Sequence, residues 1–201
     1  MKRALNSSLD LIGNTPKIKL QKIVPENAAD VWLKYEAVNP PGSYKNRMGN
    51  EITKQLGDRI DILCASVGTG GAMMGAWKGL RKAVPKIELV AFEPLQSPLL
   101  TTGKGGAHQV EGIGVGFEPP FLDQSVLKGI RAIDQEKGFA MCRKLAHEEG
   151  VFCGASTGLN VVGAIELAKE IGPGKKVVTF ACDSVLKYLG GHVYLRKNEG
   201  F

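Results

Sequence analysis

The sequence predicts an α/β fold with a mostly parallel sheet flanked by helices, and three observations predict it. Residues 58–67 read as a buried strand (Ile60, Ile62, Leu63, Cys64, Ala65) that runs into Gly68-Thr-Gly-Gly71 and a helical stretch over 72–84. A second strand at 86–93 closes a strand–helix–strand unit, which implies parallel pairing because the crossover needs a helix-length connection. A similar pattern occupies 151–182, with the small-residue turn Gly154-Ala-Ser-Thr-Gly158 ahead of its helix. The composition agrees: 43% hydrophobic and 23% charged residues in a chain of 201 suit a globular protein with a sizeable core.

Taken in order, Gly13-Asn14 is a turn signal, and Pro16 starts a short extended segment. Residues 29–35 alternate as a strand, with Val31, Leu33 and Tyr35 on one face. In Asn39-Pro-Pro-Gly-Ser-Tyr-Lys45-Asn-Arg47 the Pro-Pro-Gly turn breaks regular structure and sets Lys45 at the start of a new element. A lysine on a rigid turn, once desolvated, serves as an amine nucleophile; the plainer reading of these nine residues is a solvated lysine. Residues 48–56 follow as a short helix with Ile52 and Leu56 on one face and Gly57 as its stop.

Beyond 86–93, residues 94–123 are rich in Gly and Pro and read as a long structured loop, with His108 either lining a site or serving the loop alone. A helix at 140–149 ends at Gly150, 151–153 is a short strand, a helix runs over 159–171, and 176–182 is the last buried strand. The tail from Lys197 is polar. No internal repeat or low-complexity linker interrupts the chain.

Two turns carry candidate chemistry. Gly68-Thr-Gly-Gly71 has the strand–glycine turn–helix form that brings backbone N–H groups and a helix start to a phosphate, although glycines also serve tight strand-to-helix turns. Ser156 and Thr157 offer hydroxyls at a helix start, where N-capping is the simpler role.

The net charge of +6 is spread along the chain without an arginine-rich block, which argues against nucleic acid and suits a phosphorylated cofactor or an anionic substrate. No apolar run approaches a membrane span, and Met1-Lys-Arg-Ala has no apolar core behind it, so a cytoplasmic protein is expected. Cys64, Cys142, Cys153 and Cys182 lack C-x-x-C or histidine spacing, so reduced thiols are expected, with neither disulfide nor metal. A dinucleotide-binding reading is disfavoured by the missing G-x-G-x-x-G spacing.

These motifs also agree, in order, with one family. The sequence resembles the cysteine synthase and cystathionine β-synthase family, pyridoxal-phosphate (PLP) enzymes of fold type II. Ile12-Gly-Asn-Thr-Pro16 resembles its opening signature, 39–47 its cofactor-lysine motif and Val67-Gly-Thr-Gly-Gly71 its phosphate cradle. Glu111-Gly-Ile-Gly-Val-Gly-Phe117 resembles its later glycine loop, and Gly154-Ala-Ser-Thr-Gly158 its serine-bearing turn.

By this resemblance Lys45 forms the Schiff base with PLP and later takes the substrate Cα proton. Gly68, Thr69, Gly70 and Gly71 bind the phosphate, Ala72 contributes only its N–H where the family has threonine, and Ser156 meets the pyridine nitrogen. A neutral hydroxyl there moderates the electron sink, which suits chemistry at Cβ. The implied reaction is β-replacement on O-acetylserine or a related activated serine, with sulfide or a thiol giving cysteine or an analogue, in a homodimer.

The sequence departs from the family after Arg47-Met48. The family carries a further segment there, roughly a small domain in size, with a Thr-Ser-Gly-Asn-Thr-Gly-like loop for the substrate carboxylate. Here Gly49-Asn-Glu-Ile52 follows at once, and no such loop occurs in the sequence. The expectation is one PLP-binding domain over 1–201, with the lysine in 1–48 and the cradle in 49–201, resembling the larger domain with most of the smaller one absent. A non-catalytic PLP-binding remnant, or a regulatory partner of a full-length relative, is the alternative.

Overall fold

The computed structural model describes residues 12–38, 45–187 and 193–194, leaving out the side chains of Lys45, Asn46 and Lys187. The Pro-Pro-Gly turn and the polar tail expected from Lys197 lie outside the described residues. Strands β1 (Lys17–Lys19), β2 (Asp30–Tyr35), β3 (Ile62–Ser66), β4 (Glu88–Pro94), β5 (Gly129–Ile133) and β6 (Lys176–Ala181) form one sheet in the order β1-β2-β6-β3-β4-β5. Every neighbouring pair is parallel except β1 with β2. The expected mostly parallel α/β sheet is what the chain forms.

Strand alternation divides the core between two faces. Val31, Leu33, Ile62, Cys64, Val90, Phe92 and Val177 share one apolar cluster with helices α4 (Gln135–Lys144) and α5 (Ala155–Ile171). Leu63, Ala65, Leu89, Ala91, Val178 and Phe180 join the other with helices α1 (Lys45–Leu56) and α2 (Gly71–Leu80). As the alternation predicts, Val31 and Leu33 are buried on one side and Tyr35 packs against the same cluster.

Glycine sets the spacing of both helical layers. A Cβ built on Gly49 of α1 would lie 2.2 Å from the Ala76 carbonyl oxygen of α2, and one on Gly158 of α5 would lie 2.1 Å from that of Gly138 of α4. The helices are therefore in backbone contact at these points.

Five features differ from the sequence reading. Strand β5 was not expected: its centre is Arg131, it sits at the sheet edge half exposed, and Arg131 is occupied by a two-pronged contact with Glu170. Residues 151–153 form no strand but an extended lead into α5. Helix α5 starts at Ala155 rather than 159, and α4 starts at Gln135, where the Asp134 carboxylate accepts from the Glu136 N–H. The end of the expected 140–149 helix is a π-helical turn over Leu145–Glu149, closed by Gly150 at φ 67°.

Candidate functional site

Helices α1, α2 and α5 all begin at the carboxyl edge of the parallel strands, where open α/β sheets place ligands. Strand β3 ends at Ser66, and Gly70, at φ 84°, caps α2 without a side-chain hydrogen bond. Among the described residues the first-turn N–H groups of α2 thus have no side-chain cap, which leaves a helix start suited to an anion. The glycines also let the long loop reach this turn. A Cβ on Gly68 would lie 2.4 Å from the Gly112 carbonyl oxygen, and one on Gly70 would lie 2.7 Å from the Leu122 nitrogen. The Gly114 N–H donates to Val67 O (3.0 Å) and the Phe121 N–H to Thr69 O (3.1 Å). Gly68, Gly71 and Ala72 are half-buried and Thr69 is exposed, so the turn remains open to solvent.

His108 proves to be a loop organiser. Its Nδ1 accepts from the Val110 N–H at 3.2 Å, so its Nε2 carries the proton and donates to Gly114 O at 2.9 Å. Both ring nitrogens are thereby committed to the glycine loop.

The second turn corrects the N-capping reading. Gly154 is the N-cap of α5, no side chain caps it, and Ser156 and Thr157 lie within the first turn. Four residues on, on the same helix face as Ser156, Asn160 inserts between β3 and β6. Its Oδ1 accepts from the Ser66 N–H at 2.6 Å, and its Nδ2 donates to Phe180 O at 3.0 Å. These strands share only two paired positions before they part, and Asn160 and Thr179, whose hydroxyl donates to Cys64 O at 2.8 Å, bridge the parting. Asn160 therefore fixes this face of α5 against the ends of β3 and β6, with Ser156 one helical turn nearer the helix start. The buried Thr157 hydroxyl beside it has no hydrogen-bond partner among the described residues. The sequence reading passed over Asn160, although a lone amide among the small and apolar residues of α5 was the available signal.

The third contribution is the start of α1. The Lys45 side chain lies outside the described part, but its helix is anchored by a buried charge network that the sequence reading did not foresee. Lys34, with a fully buried side chain on β2, donates to Thr15 O (2.6 Å), Glu51 Oε2 (2.9 Å) and Gln55 Oε1 (3.1 Å). Arg47 donates to Glu36 Oε2 at 2.9 Å and, through its other terminal nitrogen, to Glu51 Oε1. The Thr15 hydroxyl donates to Glu36 Oε1 at 2.6 Å, and the Asn14 N–H to Glu51 Oε1 at 2.8 Å.

Burial works against the Glu51 charge, but hydrogen bonds from Arg47, Lys34 and the Asn14 N–H outweigh it and hold the carboxyl down to about 2. Burial depresses the Lys34 ammonium below its usual range, against the opposing pull of Glu51 and Glu36. The visible signal was the pair Lys34, in a strand otherwise built for burial, and Glu36 just after it. Among the described residues no group of three or more His, Cys, Asp or Glu side chains is arranged to hold a metal ion, and no helix is long and apolar enough to cross a membrane. Cys64, Cys142 and Cys153 are buried free thiols, and burial pushes the Cys64 thiol well up.

A glycine turn and a second helix start, set around the parting of two parallel strands, have the form in which open α/β sheets hold phosphate groups. The comparisons identify the family. The model of the pyridoxal-phosphate dependent enzymes matches residues 46–183, which include the cradle and Ser156 and begin one residue after Lys45, so the chain belongs to that family. A cysteine synthase of Helicobacter pylori is 34% identical over 194 residues, covering 92% of this chain and 63% of its own length. A cysteine synthase of Staphylococcus aureus is 39% identical over 155 residues, covering 77% and 50%. The chain thus spans about half to two-thirds of the length of these relatives. Among solved structures, O-ureido-L-serine synthase superposes with a TM-score of 0.87 at 22% identity, covering 99% of this chain and 98% of that one, and shows the fold alone. A hydrogen sulfide-producing enzyme from Fusobacterium nucleatum superposes at 0.70 with 31% identity, covering 80% and 52%.

Proposed function

We propose that the chain binds PLP at this edge of the sheet and supports cysteine synthase-like β-replacement on an activated serine such as O-acetylserine. The observation that carries the reading is that three helices, starting at Lys45, Gly71 and Ala155, all begin at the carboxyl edge of the parallel strands. The residues present fit the group. The glycine turn leaves no side chain where a phosphate would sit, and the uncapped α5 start adds the Ser156 hydroxyl and the unpartnered Thr157 hydroxyl.

When bound, PLP supplies the electron sink for a carbanion at the substrate Cα. Lys45 would hold it, and its amine would serve as the base that takes the substrate Cα proton. The N–H groups from Gly68 to Ala72, with the Thr69 hydroxyl, hold the phosphate at the positive end of α2. Ser156 would offer the ring a neutral hydroxyl, a weaker support for its electron withdrawal than a carboxylate would be. A homodimer belongs to the same reading.

A second reading, a non-catalytic PLP-binding remnant or regulatory partner, is favoured by one feature: Arg47 leads directly into 49–56 within one helix, with no loop for the substrate carboxylate between them. Without that grip the Cα–H bond is not held in a productive orientation.

Absorption spectra separate the readings. Wild type incubated with PLP should show the band of lysine-linked PLP, and Lys45→Ala should not. A further change on adding O-acetylserine supports catalysis, whereas a band that ignores it supports the remnant. No band in folded wild type rejects both.

A further inference from the structure

We propose that Glu51 is a positioning residue for Lys45, acting through Arg47 to tie the start of α1, where the lysine stands, to the end of β2; the inference rests on the function proposed above. Glu36 follows β2, and Arg47 lies in the first turn of α1, so their contact at 2.9 Å ties the end of β2 to the start of α1. Lys45 is the first residue of that helix, two residues before Arg47.

Glu51 is what holds Arg47 in place. It stands one helical turn after Arg47, and its Oε1 takes the second guanidinium nitrogen together with the Asn14 N–H. Its Oε2 meets Lys34 at 2.9 Å and the Thr15 N–H at 3.3 Å. A single carboxylate thus joins the α1 first turn, strand β2 and the Gly13-Asn14-Thr15 turn. The guanidinium can bridge Glu36 and Glu51 at once because its terminal nitrogens diverge in a fixed plane. The charges balance, Lys34 and Arg47 against Glu36 and Glu51, and the side chains of Lys34 and Glu36 are wholly buried. Neither can turn to solvent to compensate for a lost partner.

The test compares wild type, Glu51→Gln and Arg47→Lys by two readouts. Amide hydrogen exchange without PLP should be faster by about tenfold across 45–49 in both variants, with β3, β4 and the body of α5 unchanged. Borohydride reduction after PLP treatment, followed by peptide mapping, should place the label on Lys45 in wild type. In the variants the label on Lys45 should fall by about tenfold, while other lysines react as before. Glu51→Asp should restore part of the Lys45 label. Label confined to Lys45 with equal yield in all proteins, or exchange at 45–49 unchanged, overturns the inference and leaves the proposed function standing. Absence of label on Lys45 in wild type overturns the function itself. Arg47→Lys, which keeps the charge but loses the fork, decides the matter if Glu51→Gln does not fold.

Discussion

At the scale of single residues, the buried network around Glu51 ties acid stability to the site. The carboxyl is held near pH 2 in the folded chain against an ordinary 4.5, so its stabilising contribution is complete above about pH 4.5 and is lost as pH falls toward 2. Lys34 and Arg47 stay protonated throughout that window and add no slope of their own. Urea unfolding from pH 6 down to pH 2 should therefore show a decline below pH 4.5 that is shallower in Glu51→Gln than in wild type. The glycine turn ahead of α2 and the small-residue turn at Ser156 were readable in the sequence because each is a short local pattern. Glu51 was not, because its partners Lys34, Asn14 and Thr15 lie on other elements and only the fold brings them together.

At the scale of elements, two contacts decide how the helices seat. Asn160→Ala would leave the Ser66 N–H and the Phe180 carbonyl without their partner at the parting of β3 and β6, a loss of roughly 3 kcal/mol in denaturant unfolding. Gly49→Ala would drive a methyl into the α2 backbone and should cost roughly 1–3 kcal/mol. Gly129→Ala, where a Cβ meets nothing within 4 Å, should stay within about 0.5 kcal/mol of wild type and serves as the control in the same unfolding series. Apolar alternation revealed β2, β3, β4 and β6 because those strands are buried. It could not reveal β5, an edge strand carrying Arg131, and it placed the α5 start four residues late because Ala155-Ser-Thr-Gly158 reads as a turn until Gly138 packs against it.

At the scale of the whole molecule, the sequence conveyed parallel pairing but not the order of the strands. Local patterns say which segments are strands, whereas position in a sheet depends on which helix packs on which face. The division of helices between the faces, α1 with α2 and α4 with α5, follows from glycine contacts such as Gly49 with Ala76 and Gly158 with Gly138 that no single segment announces. The partial span of the relatives likewise has a structural counterpart: α1 runs unbroken from the lysine motif into the helix that precedes the cradle strand.

The place of β6 has a consequence for the order in which the chain is made. It is the last of the described strands in sequence, yet it lies between β2, along six paired positions, and β3. As the chain emerges from the ribosome, β2 and β3 are complete long before the strand that joins them exists, and each presents an open edge in the meantime. The closing contacts span more than a hundred residues, Lys176 with Asp61 and Thr179 with Cys64 among them. The sheet is thus joined in a late, slow step, and a nascent chain halted before 176 would keep its central seam unsealed and prone to pairing with a neighbouring chain.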